Sequence, residues 1–260
     1  VSDKAQGQFR KKMAHVADVM IRLIGPSVIP LLRVDDYHAY LVGTGTLLTF
    51  DQRLHIITCK HVADDGGAVF GFQNTEKLYR SAYKYIEADG ALDCAVLPVQ
   101  EEAWLDTIHE SEPIEFETLF AEKHDPVRGE VFFLQGYSQE NSAAWDGIID
   151  TKPTGFCTQI NEKFISEDNF FYLNFEMSDS QFTRGTPRET RANTRKEQAY
   201  GLSGSLVWDT GMVRAEMTGR QWDPSYARVT GLAERWDMPN HQLVIRRIEF
   251  VRRWIWDVAK

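Results

Sequence analysis

Three side chains in this 260-residue sequence have the types and surroundings that nucleophilic acyl chemistry uses: His61, Asp93 and Ser203. Ser203 lies in Gly201-Leu202-Ser203-Gly204-Ser205-Leu206-Val207, where two glycines bracket a hydroxyl and an apolar run follows. Glycine permits the positive backbone angles of a tight turn, so the hydroxyl can be held outward while neighbouring amides stay unpaired and converge on one spot. His61 ends the run Leu54-His55-Ile56-Ile57-Thr58-Cys59-Lys60-His61, and Asp93 heads the apolar run Cys94-Ala95-Val96-Leu97. Each has an ordinary reading: glycine turn, strand-end histidine, turn aspartate. Their co-occurrence favours one shared site, because a serine nucleophile needs a base and the base needs an orienting carboxylate.

The elements that must position these residues are short and β-rich. Runs at Val28 to Val34, Ala39 to Phe50, His55 to Thr58, Ala68 to Phe72, Leu78 to Ile86 and Ala91 to Val99 are separated by turn residues such as Asp64-Asp65-Gly66-Gly67. Six strands so spaced suit a small closed barrel. A second set covers Glu130 to Gly136, Asp146 to Thr151, Gly155 to Ile160, Phe170 to Glu176, Ser205 to Trp208, Met212 to Thr218 and Tyr226 to Leu232. Between them, Gln100 to Lys123 is rich in glutamate and reads as a solvated connector. Ser178 to Gln198 is a polar, arginine-rich loop. Helical spacing of Phe9, Met13, Val16, Met20 and Leu23/Ile24 predicts an amphipathic helix before Gly25-Pro26, and Ile248, Val251, Ile255 and Val258 predict a closing one. The expected fold is all-β: two six-stranded antiparallel β-barrels with an N-terminal and a C-terminal helix. Its divisions are 1–25 for the first helix, 26–100 for the first barrel, 101–125 for the connector, 126–245 for the second barrel and 246–260 for the last helix.

Composition bounds the function. A formal net charge of −9 argues against binding driven by phosphate backbones, so no nucleic-acid partner is expected. No apolar run reaches bilayer length and no secretory pattern opens the chain, which predicts no membrane association and a cytoplasmic location, with Val1 pointing to a processed or trimmed start. Cys59, Cys94 and Cys157 have neither paired nor metal-type spacing and read as buried free thiols of a reducing compartment. The seven histidines are scattered, so neither a metal nor another cofactor is expected.

Gly43-Thr44-Gly45-Thr46, Thr58-Cys59-Lys60-His61, Leu92-Asp93-Cys94-Ala95, Gly129 to Tyr137 and Gly201-Leu202-Ser203-Gly204 follow one another in an order that resembles the successive motifs of trypsin-like, chymotrypsin-fold serine proteases. The likeness runs from about Val28 to the last helix. It implies two barrels with a Ser203–His61–Asp93 triad in the cleft between them. Ser203 would attack the scissile carbonyl, His61 would shuttle the proton, and Asp93 would fix the histidine tautomer. The amides of Gly201 and Ser203 would form the oxyanion hole. Val62 stands where secreted digestive members carry a cysteine after the histidine, and Leu202 where they carry the aspartate used in zymogen activation. Ser205 and Leu206 replace a glycine and a proline, a pattern closer to divergent bacterial or intracellular members.

The resemblance implies a serine endopeptidase acting through an acyl-enzyme on a protein or peptide substrate. The absence of a secretory pattern and of the zymogen aspartate points to a regulated intracellular protease, with the terminal helices as the place for a regulatory partner. Glu197, six residues before Ser203, would floor the primary pocket and favour Arg or Lys; an exposed loop carboxylate is an equal reading. Met217, Thr218 and Gly219 would end a strand beside the substrate backbone. The competing reading is a catalytically silent, protease-like module that binds a peptide or partner. An α/β-hydrolase fails because its histidine must follow the serine, where only His241 occurs. A thiol protease using Cys59 fails because Cys59 lies on the same strand end as His61 and would point with it.

Overall fold

The computed structural model describes residues 3–35, 38–64, 69–81, 86–87, 92–145, 148–163, 168–176, 182–183, 186, 191–192 and 198–258. Two antiparallel β-sheets form the halves of a double barrel, and a helix packs at each end of the chain, as expected. The first sheet holds β1 (Val28–Val34), β2 (Ala39–Phe50), β3 (Arg53–Thr58), β4 (Val69–Gly71), β5 (Leu78–Arg80), β6 (Ile86–Glu87) and β7 (Ala95–Pro98). Their order is β5-β4-β1-β2-β3-β7-β6, and the two-residue β8 (Ile114–Glu115) adds to β2 in parallel. Ser81, just past β5, donates to the carbonyl of Pro98 in β7 at 3.2 Å and draws the margins of the sheet together.

The second sheet is built from β9 (Phe132–Gly136), β12 (Thr154–Thr158), β13 (Phe170–Asn174), β14 (Leu206–Asp209), β15 (Arg228–Asp237) and β16 (Gln242–Arg247), in the order β12-β9-β14-β15-β16-β13. A bridge between Ile160 and Leu173 closes it beside β12 and β13. The hairpin of β10 (Ser142–Trp145) and β11 (Ile148–Thr151) stands outside both sheets.

Strand alternation decides which core each side chain enters. In β9, Phe132 and Leu134 fill the interior of the second barrel with Phe171, Leu173, Val207, Leu243 and Ile245. Phe133, between them, points into the larger core shared with Ile29, Leu31, Leu47, Ile56 and Ile57 of the first barrel. The N-terminal helix α1 (Asp3–Ile24) lays Val16, Ala17, Met20 and Ile24 on that shared core, while Leu23 turns outward. Full burial of Val16, Met20 and Ile24 contributes on the order of 5 to 8 kcal/mol, which makes α1 part of the body. Among the described residues no helix is long and apolar enough to cross a membrane.

Three local readings are corrected. Met212 to Thr218 is not a strand: Gly211 turns the chain at φ +67° and α5 (Met212–Met217) follows. Met, Arg, Ala and Glu favour helix, and the buried Glu130 carboxylate accepts the first-turn amides of Val213 and Arg214 at 2.9 and 3.0 Å. The sixth strand of the second barrel is instead β16, six residues at the edge of the expected closing helix. That helix, α6, begins at Ile248 and runs to Val258. The glutamate-rich segment, which forms the short helices α3 (Glu101–Leu105) and α4 (Phe116–Leu119), is more than a solvated face, since Phe116 and Phe120 are buried in the shared core.

Candidate functional site

The short helix α2 (Lys60–Asp64) begins where β3 stops, and His61 is its second residue. Asp93 lies two residues before β7, and because β3 and β7 pair through Thr58 and Ala95, the two side chains meet. The His61 amide donates to Asp93 Oδ1 at 2.9 Å, and His61 Nδ1 meets Oδ2 at 2.5 Å. The hydrogen bond to Asp93 raises the His61 pKa above its ordinary value, against the opposing pull of burial. Burial pushes the Asp93 carboxyl up, but the bonds from the His61 ring and amide outweigh it and leave the pKa lowered. Asp93 thus both caps α2 and orients the imidazole.

The Ser203 turn is pinned on two sides. The Thr44 hydroxyl of β2 donates to the Gly201 carbonyl at 2.7 Å and accepts the Tyr137 amide at 2.9 Å, and the Thr44 amide donates to the Ser203 carbonyl at 2.9 Å. On the other side, the Gly204 amide donates to the Ala233 carbonyl at 2.8 Å, and the Ala233 amide returns a bond to Ser205 at 2.9 Å. Gly201 and Gly204 take φ of +96° and +90°, and a Cβ on Gly204 would overlap the Thr44 carbonyl and the Thr58 hydroxyl. Leu202 is buried in the second core, so packing anchors this turn where an ion pair would otherwise be needed. The amides of Gly201 and Ser203 bond to none of the described residues.

The side chains do not form the expected serine triad. Ser203 Oγ makes no hydrogen bond to His61 or to any other described residue. The catalytic-type group that closes on His61 and Asp93 contains Cys59, with the sulfur, nitrogen and carboxylate atoms within 4.8 Å of one another. Cys59 is no nucleophile in this setting: it is fully buried, its Sγ donates to the Ala233 carbonyl at 3.2 Å, and burial, then the charges of Asp93 and Glu234, push the thiol well above its ordinary pKa. The same donors could hold a zinc-like ion only as thiolate, imidazole and carboxylate, and burial opposes the thiolate. The expectation of a trypsin-like serine endopeptidase with a Ser-His-Asp triad and an acyl-enzyme is corrected on this finding.

Other expected site residues fare differently. Glu197 and most of the Ser178 to Gln198 loop lie outside the described residues. Met217, Thr218 and Gly219 end helix α5, with Met217 72% exposed, so no strand of theirs borders the turn. The strand that does so is β15. Its pairing with β14 stops at Leu232, and past Ala233 the segment from Glu234 to Asp237 pairs only with β16 among the described residues. Trp236 lies on this open edge with its indole Nε1 buried and without a partner among the described residues, and Tyr200 stacks edge-on at 5.4 Å.

A buried ion pair behind Asp93 was not anticipated. Glu234 and Arg246 are each 4% exposed, and Arg246 Nε donates to Glu234 Oε1 at 2.6 Å. The Arg246 guanidinium also lies 3.9 Å over the Phe170 ring. Burial raises the Glu234 pKa, and Arg246 offsets part of the rise. Each ends an apolar run beside a second charge, Glu234 before Arg235 and Arg246 before Arg247, so neither stands out in the sequence as a lone buried charge.

No family model matches the chain, and no curated protein does. Among solved structures it is similar to a serine endoprotease from Yersinia pestis, with a TM-score of 0.55 and 14% identity over 94% of this chain, which spans 65% of that protein. Human heparin binding protein superposes with a TM-score of 0.55 at 12% identity, covering 90% of this chain and 91% of that one. The Rv3671c protease of M. tuberculosis H37Rv in its inactive form gives a TM-score of 0.52 at 15% identity, covering 95% and 96%. At such identities these likenesses show a shared fold, the trypsin/chymotrypsin double barrel.

Proposed function

We propose that this chain is a protease-like binding module that takes an extended peptide or a segment of a partner protein along β15 beside Ser203 and does not cleave it. The observation that carries this reading is that, among the described residues, the amides of Gly201 and Ser203 are unbonded and the Ser203 hydroxyl makes no hydrogen bond to His61, in a turn held from both barrels. Free N–H groups beside a serine can donate to a peptide carbonyl oxygen, while attack on that carbonyl requires proton removal from Ser203. The open edge of β15 supplies the rest, because an added strand satisfies its unpaired backbone groups and Trp236 with Tyr200 offers an aromatic contact for one side chain.

Fluorescence polarisation with a library of labelled extended peptides tests this reading. A subset should bind, remain intact by mass spectrometry, and bind Ser203→Ala equally well. Trp236→Ala should weaken the same peptides about tenfold, as loss of a buried aromatic anchor does. Peptide fragments that appear with the parent chain and not with Ser203→Ala would overturn the proposal, and so would binding indifferent to Trp236.

A further inference from the structure

A cavity of about 440 Å³ lies at the far end of β14 from Ser203, between the connector, helix α5 and the start of β15. Its cationic lining is Lys123, Arg214, Arg220 and Arg228, a concentration that stands out in a chain of net charge −9. Two of these cations are balanced in place. Arg214 lies 3.6 Å from Asp209 and Lys123 3.9 Å from Asp125. The other two have no carboxylate partner among the described residues. Arg220 makes no side-chain hydrogen bond or ion pair with the described residues. Arg228 spends Nη1 on the carbonyls of Ser225 and Ala227, at 2.6 and 2.7 Å, which fixes the guanidinium and leaves its Nε–Nη2 edge unbonded.

We propose that this cavity binds a small phosphorylated molecule, its phosphate held by Arg220 and Arg228. Two uncompensated guanidinium charges match a phosphomonoester dianion, and a free Nε–Nη2 edge is the planar fork that phosphate oxygens engage in pairs. The volume exceeds what free phosphate needs and falls in the range of small-molecule pockets, so the remainder of the ligand also has room. Ala121, Ala215 and Tyr226 give that remainder an apolar wall, and the mostly buried Asp209 carboxyl can accept a bond from a ligand hydroxyl. A sugar phosphate has these parts. The cavity and the Ser203 turn sit at opposite ends of the four-residue β14, so the two sites can be occupied together.

Isothermal titration of the full chain with ribose 5-phosphate, inorganic phosphate and ribose tests the proposal. Ribose 5-phosphate should bind in the micromolar to millimolar range, more tightly than inorganic phosphate, and ribose should give no signal. The double variant Arg220→Ala/Arg228→Ala should lose at least about tenfold in affinity. Both residues are exposed and outside the cores, so its melting temperature should match the parent and separate a lost site from a lost fold. Ser203→Ala should bind as the parent does. Absence of binding by either phosphate at millimolar concentration, affinity unchanged in the double variant, or equal affinity for phosphate and its ester would overturn the assignment.

Discussion

At the scale of single residues, the site is governed by which groups His61 and Asp93 hold. Their mutual hydrogen bonds raise the His61 pKa and lower that of Asp93, and linkage fixes how each contributes to stability. The Asp93 share is present above the ordinary carboxylate value and is lost as pH falls through its lowered value. The His61 share is fully present below the ordinary histidine value and is lost as pH rises through its raised one. The pair therefore stabilises most in the mildly acid range between these limits. Both groups are partly solvated, which keeps the effect modest. Asp93→Asn should bring the His61 titration, followed by NMR of the ring protons, back down to about 6.5 or below. An unshifted titration would mean that Asp93 does not set the histidine. His61, Asp93 and the Ser203 turn were legible in the sequence because glycines around a serine and lone polar groups at the ends of apolar runs are costly unless used. The failure of Ser203 to bond His61 was not, since it depends on side-chain geometry across two barrels. Strand alternation did put Cys59 on the side of His61, but not its sulfur within reach of both His61 and Asp93.

At the scale of elements, the turn is rigid because Thr44 reaches across from β2. Its hydroxyl satisfies two backbone groups 157 and 93 residues away, and it is fully buried. Thr44→Val keeps the shape and strands both partners, so it should cost about 2 kcal/mol or more in denaturant unfolding. A loss below about half a kcal/mol would show that the turn is held by other contacts. The Glu234–Arg246 pair makes a sharper case. Arg246→Met leaves a buried carboxylate without its partner and should cost roughly 3 to 5 kcal/mol, while Glu234→Gln/Arg246→Met should recover much of that loss. Additive losses in the two single variants would contradict coupling between the side chains. The strand order near these residues was only partly readable. Gln242 to Arg247 is short and abuts a strong helical repeat, so the sequence reading starts a helix at about Arg246 and names no strand in the barrel segment before it. Met212 to Met217 had enough apolar character to pass for a strand, and its helical state depends on Glu130, 82 residues before Met212, accepting the first-turn amides.

At the scale of the whole molecule, one core joins both barrels and α1, and the Ser203 turn is clamped between β2 of the first barrel and β15 of the second. The double barrel was legible because short alternating strands, turn residues and two helical repeats agree with one another along the chain. Chemistry was not legible at that scale, because a fold can keep its cleft and its amides after the hydroxyl and the base have ceased to meet. The account rests on that separation of binding from cleavage. It is tested most directly by intact-protein mass spectrometry after incubation with a fluorophosphonate, a reagent that adds covalently to a serine activated by its base. The predicted result is an unmodified mass for the parent chain under conditions where peptide binding is retained. A single adduct located at Ser203 and absent from Ser203→Ala would contradict the account.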